Sequence, residues 1–104
     1  DTFMQLMQLI DRHYISERSV SFYADRLCLS PKYLTSLVKS VSGCTVQQLV
    51  FKAITKKAIS LISTTDKSIK EIADLLNFPN SSAFGTFFKK QVGVSPTVYR
   101  QNEA

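Results

Sequence analysis

The chain has 104 residues, 44% of them hydrophobic, which is enough for one domain or two very small lobes with a modest core. Three glycines and three prolines spread over that length disfavour a turn-dense all-β architecture. Thirteen Lys/Arg against eight Asp/Glu give a net charge of +5 and a pI near 9.4, which points to a polyanionic partner, either nucleic acid or an anionic membrane surface. No run of 18 apolar residues is present, so no membrane span is expected.

Taken in chain order, the pattern is helical throughout. Thr2 to Tyr14 carries Phe3, Met4, Leu6, Met7, Leu9 and Ile10 at mostly helical spacing. Phe22 to Leu27 is a second, short apolar run, which stops at Cys28-Leu29-Ser30-Pro31. Cys28 is expected to pack as a small hydrophobe. Ser30 is a good N-cap and Pro31 a good first helical residue, since its missing N–H would have no partner there anyway. The helix opened by that pair runs to about Ser42, with Leu34, Leu37, Val38 and Val41 on its apolar stripe, and Gly43 supplies the left-handed residue that ends it.

Thr45 caps the longest periodic stretch, which runs to Ser63 with Val46, Leu49, Val50, Ala53, Ile54, Ala58, Leu61 and Ile62 in a 3–4 rhythm. Ser68 opens a short helix through Leu76, with a capping box to Glu71. A turn at Asn77-Phe78-Pro79-Asn80 leads to a helix from Ser81 or Ser82 to Val92, closed by Gly93. Ser95-Pro96 starts a final helix carrying Tyr99 and Arg100. The expectation is an all-α fold of seven helices.

An internal repeat organises these elements. Ser19-Val20, Ala24-Asp25 and Leu27 recur as Ser68-Ile69, Ala73-Asp74 and Leu76 at an offset of 49. Leu34, Lys39 and Gly43 recur as Phe84, Lys89 and Gly93 at an offset of 50, so the second turn is one residue longer. Each copy is a short helix, a turn and a second helix ending in glycine, the layout of a helix-turn-helix. Ala24 and Ala73 fall where the two helices must approach closely. The predicted lobes are residues 3–43 and 68–100, joined by a helix over 45–63. At ~1.5 Å per residue that helix spans roughly 28 Å, against about 34 Å between successive major grooves on one face of B-DNA.

Reading residues follow by subtraction. With Leu34, Leu37, Val38 and Val41 inward, Lys32, Thr35 and Ser36 are left to meet base edges, and Ser30, Tyr33 and Lys39 to hold phosphates. With Phe84, Phe87 and Phe88 inward, Ser81, Ser82, Gly85 and Thr86 face bases, and Asn80, Lys89 and Lys90 face phosphates. The second set is short and mostly uncharged, so it should discriminate less or work through waters and DNA shape. Lys52, Lys56 and Lys57 on the joining helix read as solubilising.

Two rival function classes are set against this. Catalysis finds no support: His13 is the sole histidine, Asp25 and Asp74 are repeat equivalents rather than an acid–base pair, and neither a zinc spacing nor a phosphate loop occurs. No cofactor, metal or catalytic residue is therefore expected. A helical protein-interaction module, or a sequence-blind architectural binder, would differ from a sequence reader in salt dependence and in competition by random duplex.

The stretches SVSFYADRLCLSPKYLTSLVKSVSG and SIKEIADLLNFPNSSAFGTFFKKQVGVSPTVYR resemble the two helix-turn-helix units of AraC/XylS-type transcription regulators over roughly residues 3–100. The resemblance rests on the I-A-x-x-x-x-F turn, F-x-x-x-F-K-K and the terminal S-P-x-x-Y-R. It implies sequence-specific binding of double-stranded DNA by two recognition helices in adjacent major grooves, and bacterial transcription regulation by activation through RNA polymerase. It also implies a cytoplasmic location and an N-terminal sensing or dimerisation domain upstream, in keeping with a chain that opens on Asp1 and enters a helix at once. The family's base-reading slots land on Lys32, Thr35, Ser36, Ser81, Ser82, Gly85 and Thr86. Where the family often has Gly-Phe, this chain has Asn77-Phe78, and asparagine also tolerates the left-handed region.

Overall fold

The computed structural model describes residues 1–103. It contains α1 (Thr2–His13), α2 (Val20–Arg26), α3 (Pro31–Ser42), α4 (Val46–Thr64), α5 (Ile69–Leu75), α6 (Ser81–Val92) and α7 (Pro96–Glu103), with no strand among the described residues. Two compact units divide the chain, Asp1–Ala53 and Ile54–Ala104, and the division falls inside α4.

In the first unit α1 packs on both α2 and α3. Leu6, Ile10, Tyr23, Ala24, Leu34 and Val38 are buried there, with Val46, Leu49 and Val50 from the first half of α4. Tyr23 is fully buried yet keeps its polar end satisfied, its hydroxyl donating to the Glu17 carbonyl at 2.7 Å. Burial, and secondarily the Glu17 charge, push this phenol up to about 12. In the second unit α5 and α7 both pack on α6. Its core joins Ile54, Ala58 and Ile62 to Ile72, Ala73, Leu76, Phe84 and Phe88. The rings continue outward, Phe78 lying 5.3 Å from Phe84 and Tyr99 lying 5.7 Å from Phe88, within the range of favourable aromatic pairs.

Helix starts are fixed by side-chain caps on otherwise orphaned N–H groups. Ser19, Ser30, Ser68 and Asn80 accept from Phe22, Tyr33, Glu71 and Ala83. The Ser68/Glu71 capping box is present, and its hydrogen bonds from Ser68 hold the Glu71 carboxyl below the usual range. A second box, between Thr45 and Gln48 at 2.9 and 3.0 Å, opens α4. Helix ends are matched too: Gly43 at φ 75° and Gly93 at φ 101° bond back to the carbonyls of Lys39 and Lys89.

The repeat is reproduced bond for bond in the two turns. Leu29 N–H donates to Ala24 O, and Phe78 N–H to Ala73 O, both at 2.9 Å. The residue ahead of each donor is left-handed, Cys28 at φ 59° and Asn77 at φ 65°. Cys28 therefore does not pack as a small hydrophobe: the left-handed turn lifts its side chain into solvent. For an L-residue that conformation costs roughly 1–2 kcal/mol, less for asparagine. Cys28→Asn, which copies the second turn, is expected to stabilise the first unit by about 0.5–1 kcal/mol, read as a rise of a few degrees in the thermal midpoint. An unchanged or lower midpoint would mean the thiol makes a contribution of its own.

Two further expectations need correction. Val41 is 56% exposed rather than part of the inward stripe of α3. It borders an open groove with Leu37 and, from the start of α1, Phe3 and Met4, which leaves more than half of its surface uncovered. The second helix begins at Val20, two residues before its apolar run, because the Ser19 cap rather than the first aromatic sets its start.

Candidate nucleic-acid interface

On α3 the buried side is Leu34 and Val38, with Leu37 half-buried, and the opposite side carries Lys32, Tyr33, Thr35, Ser36 and Lys39 in the open. The Thr35 hydroxyl donates to the Pro31 carbonyl at 2.8 Å, so its oxygen is left as an acceptor only, beside a free methyl. Ser36 makes no hydrogen bond among the described residues, which leaves its hydroxyl as a donor and acceptor. Ser30 accepts from Tyr33 N–H at 3.1 Å and still has its O–H to give.

On α6 the inward side is Phe84 and Phe88, with Phe87 partly covered, and Ser81, Ser82, Thr86, Lys89 and Lys90 are exposed. Asn80 spends its carbonyl oxygen on Ala83 N–H at 2.7 Å, leaving its NH2 to donate outward. Gly85 is half-exposed, and a methyl placed there would meet nothing within 4 Å. Among the described residues nothing requires a glycine at this point of the helix.

The electrostatics of the two helices agree. Neither α3 nor α6 has an acidic residue in its first turn, and Lys39 or Lys89 and Lys90 lie in the last. The positive ends of both helix dipoles are thus not neutralised by carboxylates. The structure brings Ser30, Lys32, Tyr33, Thr35, Ser36 and Lys39 onto one helix and its cap, and Asn80, Ser81, Ser82, Gly85, Thr86, Lys89 and Lys90 onto another.

One residue that matters for the second unit could not be assigned from sequence. Arg100 donates from its three guanidinium nitrogens to the carbonyls of Ile62 (3.2 Å), Lys67 (2.7 Å) and Thr65 (3.3 Å). It closes the end of α4 and the loop that follows, supplying donors to three backbone carbonyls there. The terminal motif flagged its position, but its partners are more than 30 residues away. Asp25 and Asp74 lend their backbone carbonyls to the matched turns, to Cys28 and Asn77 N–H. Among the described residues no group of three or more His, Cys, Asp or Glu could hold a metal ion, and no helix is long and apolar enough to cross a membrane.

The profile of a family described as a helix-turn-helix domain matches residues 23–102 of this chain, and the solved C-terminal domain of AraT, a response regulator from Geobacillus stearothermophilus, is 32% identical with a TM-score of 0.91. The chain belongs to the AraC-type helix-turn-helix family. The AraT comparison covers 97% of this AraC-type domain and 84% of the solved chain. Among curated relatives, the uncharacterised transcriptional regulator YtdP of Bacillus subtilis is 33% identical over 98 residues, 94% of this chain and 13% of that protein. The transcriptional activator RhaS of Enterobacter sp. is 33% identical over 97 residues, 93% of this chain and 35% of its own length. The AraC-type domain thus spans well under half the length of these relatives. It is a DNA-binding domain of the transcription-regulator class.

Proposed function

We propose that this domain reads a specific double-stranded DNA sequence with α3 and α6, each in a major groove, and that the two grooves are adjacent. The division of labour follows residues 3–43 and 68–100 as reading lobes and 45–63 as the joining helix. Lys32, Thr35 and Ser36 contact bases from the first helix, and Ser81, Ser82, Gly85 and Thr86 from the second. Ser30, Tyr33, Lys39, Asn80, Lys89 and Lys90 hold phosphates. The observation that carries this reading is the paired presentation, in each unit, of one capped helix with an apolar inner side and an exposed Lys/Ser/Thr outer side.

In this reading the parent protein regulates bacterial transcription from the cytoplasm. It acts as an activator in contact with RNA polymerase, under a sensing or dimerising domain upstream. It is not an enzyme.

Selection from a random duplex library, followed by binding of the enriched site against salt, tests the reading. Two short determinants about 10 bp apart with a steep salt slope are expected. Determinants in one half only would reduce α6 to an anchor. No enrichment with no salt dependence would overturn the proposal in favour of a protein-binding module.

A further inference from the structure

A cleft of about 310 Å³ opens between α1 and the end of α2, lined by Gln5, Gln8, Leu9 and Arg12 on one side and Arg26, Leu27 and Cys28 on the other. No residue of α3 lines it, so it lies apart from the reading helix. Arg12 and Arg26 are exposed, and neither forms an ion pair or hydrogen bond among the described residues. Arg26 is held in place instead by the Phe22 ring, 4.8 Å from its guanidinium carbon. Phe22 is in turn set edge-on to His13 and Tyr23, both at 5.1 Å. Two cations facing one concavity with no carboxylate between them focus a positive potential there.

We infer that this cleft is a docking site for an acidic segment of a protein partner, its carboxylates taken by Arg12 and Arg26. The chemistry favours a carboxylate-bearing chain over a DNA backbone on three grounds. Planar guanidinium forks match carboxylates bidentately, and the Gln5 and Gln8 amides add donors beside them. Leu9 and Leu27, both partly exposed, supply an aliphatic wall that suits a side chain and that a sugar–phosphate strand does not use. The repeat gives the third ground: the position of Arg26 is occupied in the second copy by Leu75, itself 50% exposed. The cation at this point is therefore particular to the first unit and lies outside the repeated plan.

The probe is a short fluorescent peptide of glutamates separated by single leucines, titrated into the isotopically labelled 104-residue chain. Amide and arginine side-chain shifts are expected to gather on α1 and the end of α2. Arg12→Gln/Arg26→Gln is expected to weaken the peptide at least ~10-fold, a loss of about 1.4 kcal/mol, with DNA affinity and its salt slope unchanged. Arg12→Gln alone repeats the test without disturbing the stack on Phe22, should the pair unsettle the fold. Shifts confined to the lysines of α3 and α6, or no shifts at all, would overturn the inference. So would a DNA salt slope reduced by ~0.9 per arginine, which would make the cleft a phosphate clamp.

Discussion

Phe88→Ala is expected to destabilise the second unit by about 3–5 kcal/mol, the cost of removing a buried aromatic ring and leaving a cavity. Phe88 is fully buried between Phe84, at 5.8 Å, and Tyr99, at 5.7 Å, and so joins α6 to α7. Whole domains carry only about 5–15 kcal/mol of stability, so this change removes much of what keeps α6 folded. Hydrogen exchange should show amides of α5, α6 and α7 losing protection by a factor of roughly 10² to 10⁴. Those of α1 to α3 should change far less. Phe87→Ala, at a partly exposed position one residue earlier, should cost much less. Equal losses for the two variants would mean that the aromatic core is not organised around Phe88.

The second large effect concerns charge rather than packing. If Lys39, Lys89 and Lys90 each neutralise one phosphate, replacing all three with glutamine removes about 2.7 from the slope of log K against log salt. At physiological salt this corresponds to a loss of affinity on the order of 10². Preference among sequences should survive, since phosphate contacts position the protein without reading bases. Lys32→Ala is the counterpart, costing about 1–3 kcal/mol and relaxing discrimination at one position. Anisotropy titrations on the selected duplex and on variants of it separate the two outcomes. A triple variant with an unchanged slope would remove these lysines from the interface.

Much of the architecture was legible because it is written locally. Caps, left-handed glycines and a 3–4 rhythm are properties of a few adjacent residues, and Ser30, Ser68, Gly43 and Gly93 fulfil them in the structure. The repeat added non-local information, since a matched stop at a fixed offset predicts a matched turn, and Asn77 took the left-handed conformation anticipated for it. Val41 and Cys28 were misread for different reasons. Val41 opens onto a groove beside the start of α1, and Cys28 lies past the last helical residue, where its left-handed backbone turns it outward. Arg100 was located but not explained, because three carbonyls brought together by folding leave no trace in residue types. The exposed faces of α3 and α6 were recoverable by subtraction because exposure on a helix is fixed by what is buried opposite.

The absence of acidic residues from the first turns of α3 and α6 sets stability and binding in opposition at two positions. Aspartate would cap either helix as well as Ser30 or Asn80 does, and by interacting with the dipole it would add about 0.3–1 kcal/mol. By that measure alone it is the better residue, and α1 and α5 do carry carboxylates at their starts, in Asp1 and Glu71. If Ser30 and Asn80 face phosphates as proposed, the same carboxylate at the starts of α3 and α6 would stand against one. In the proposed reading, a sequence optimised only for folding would drift toward aspartate there and gain stability while weakening its hold on DNA, a cost that thermal stability alone would never reveal.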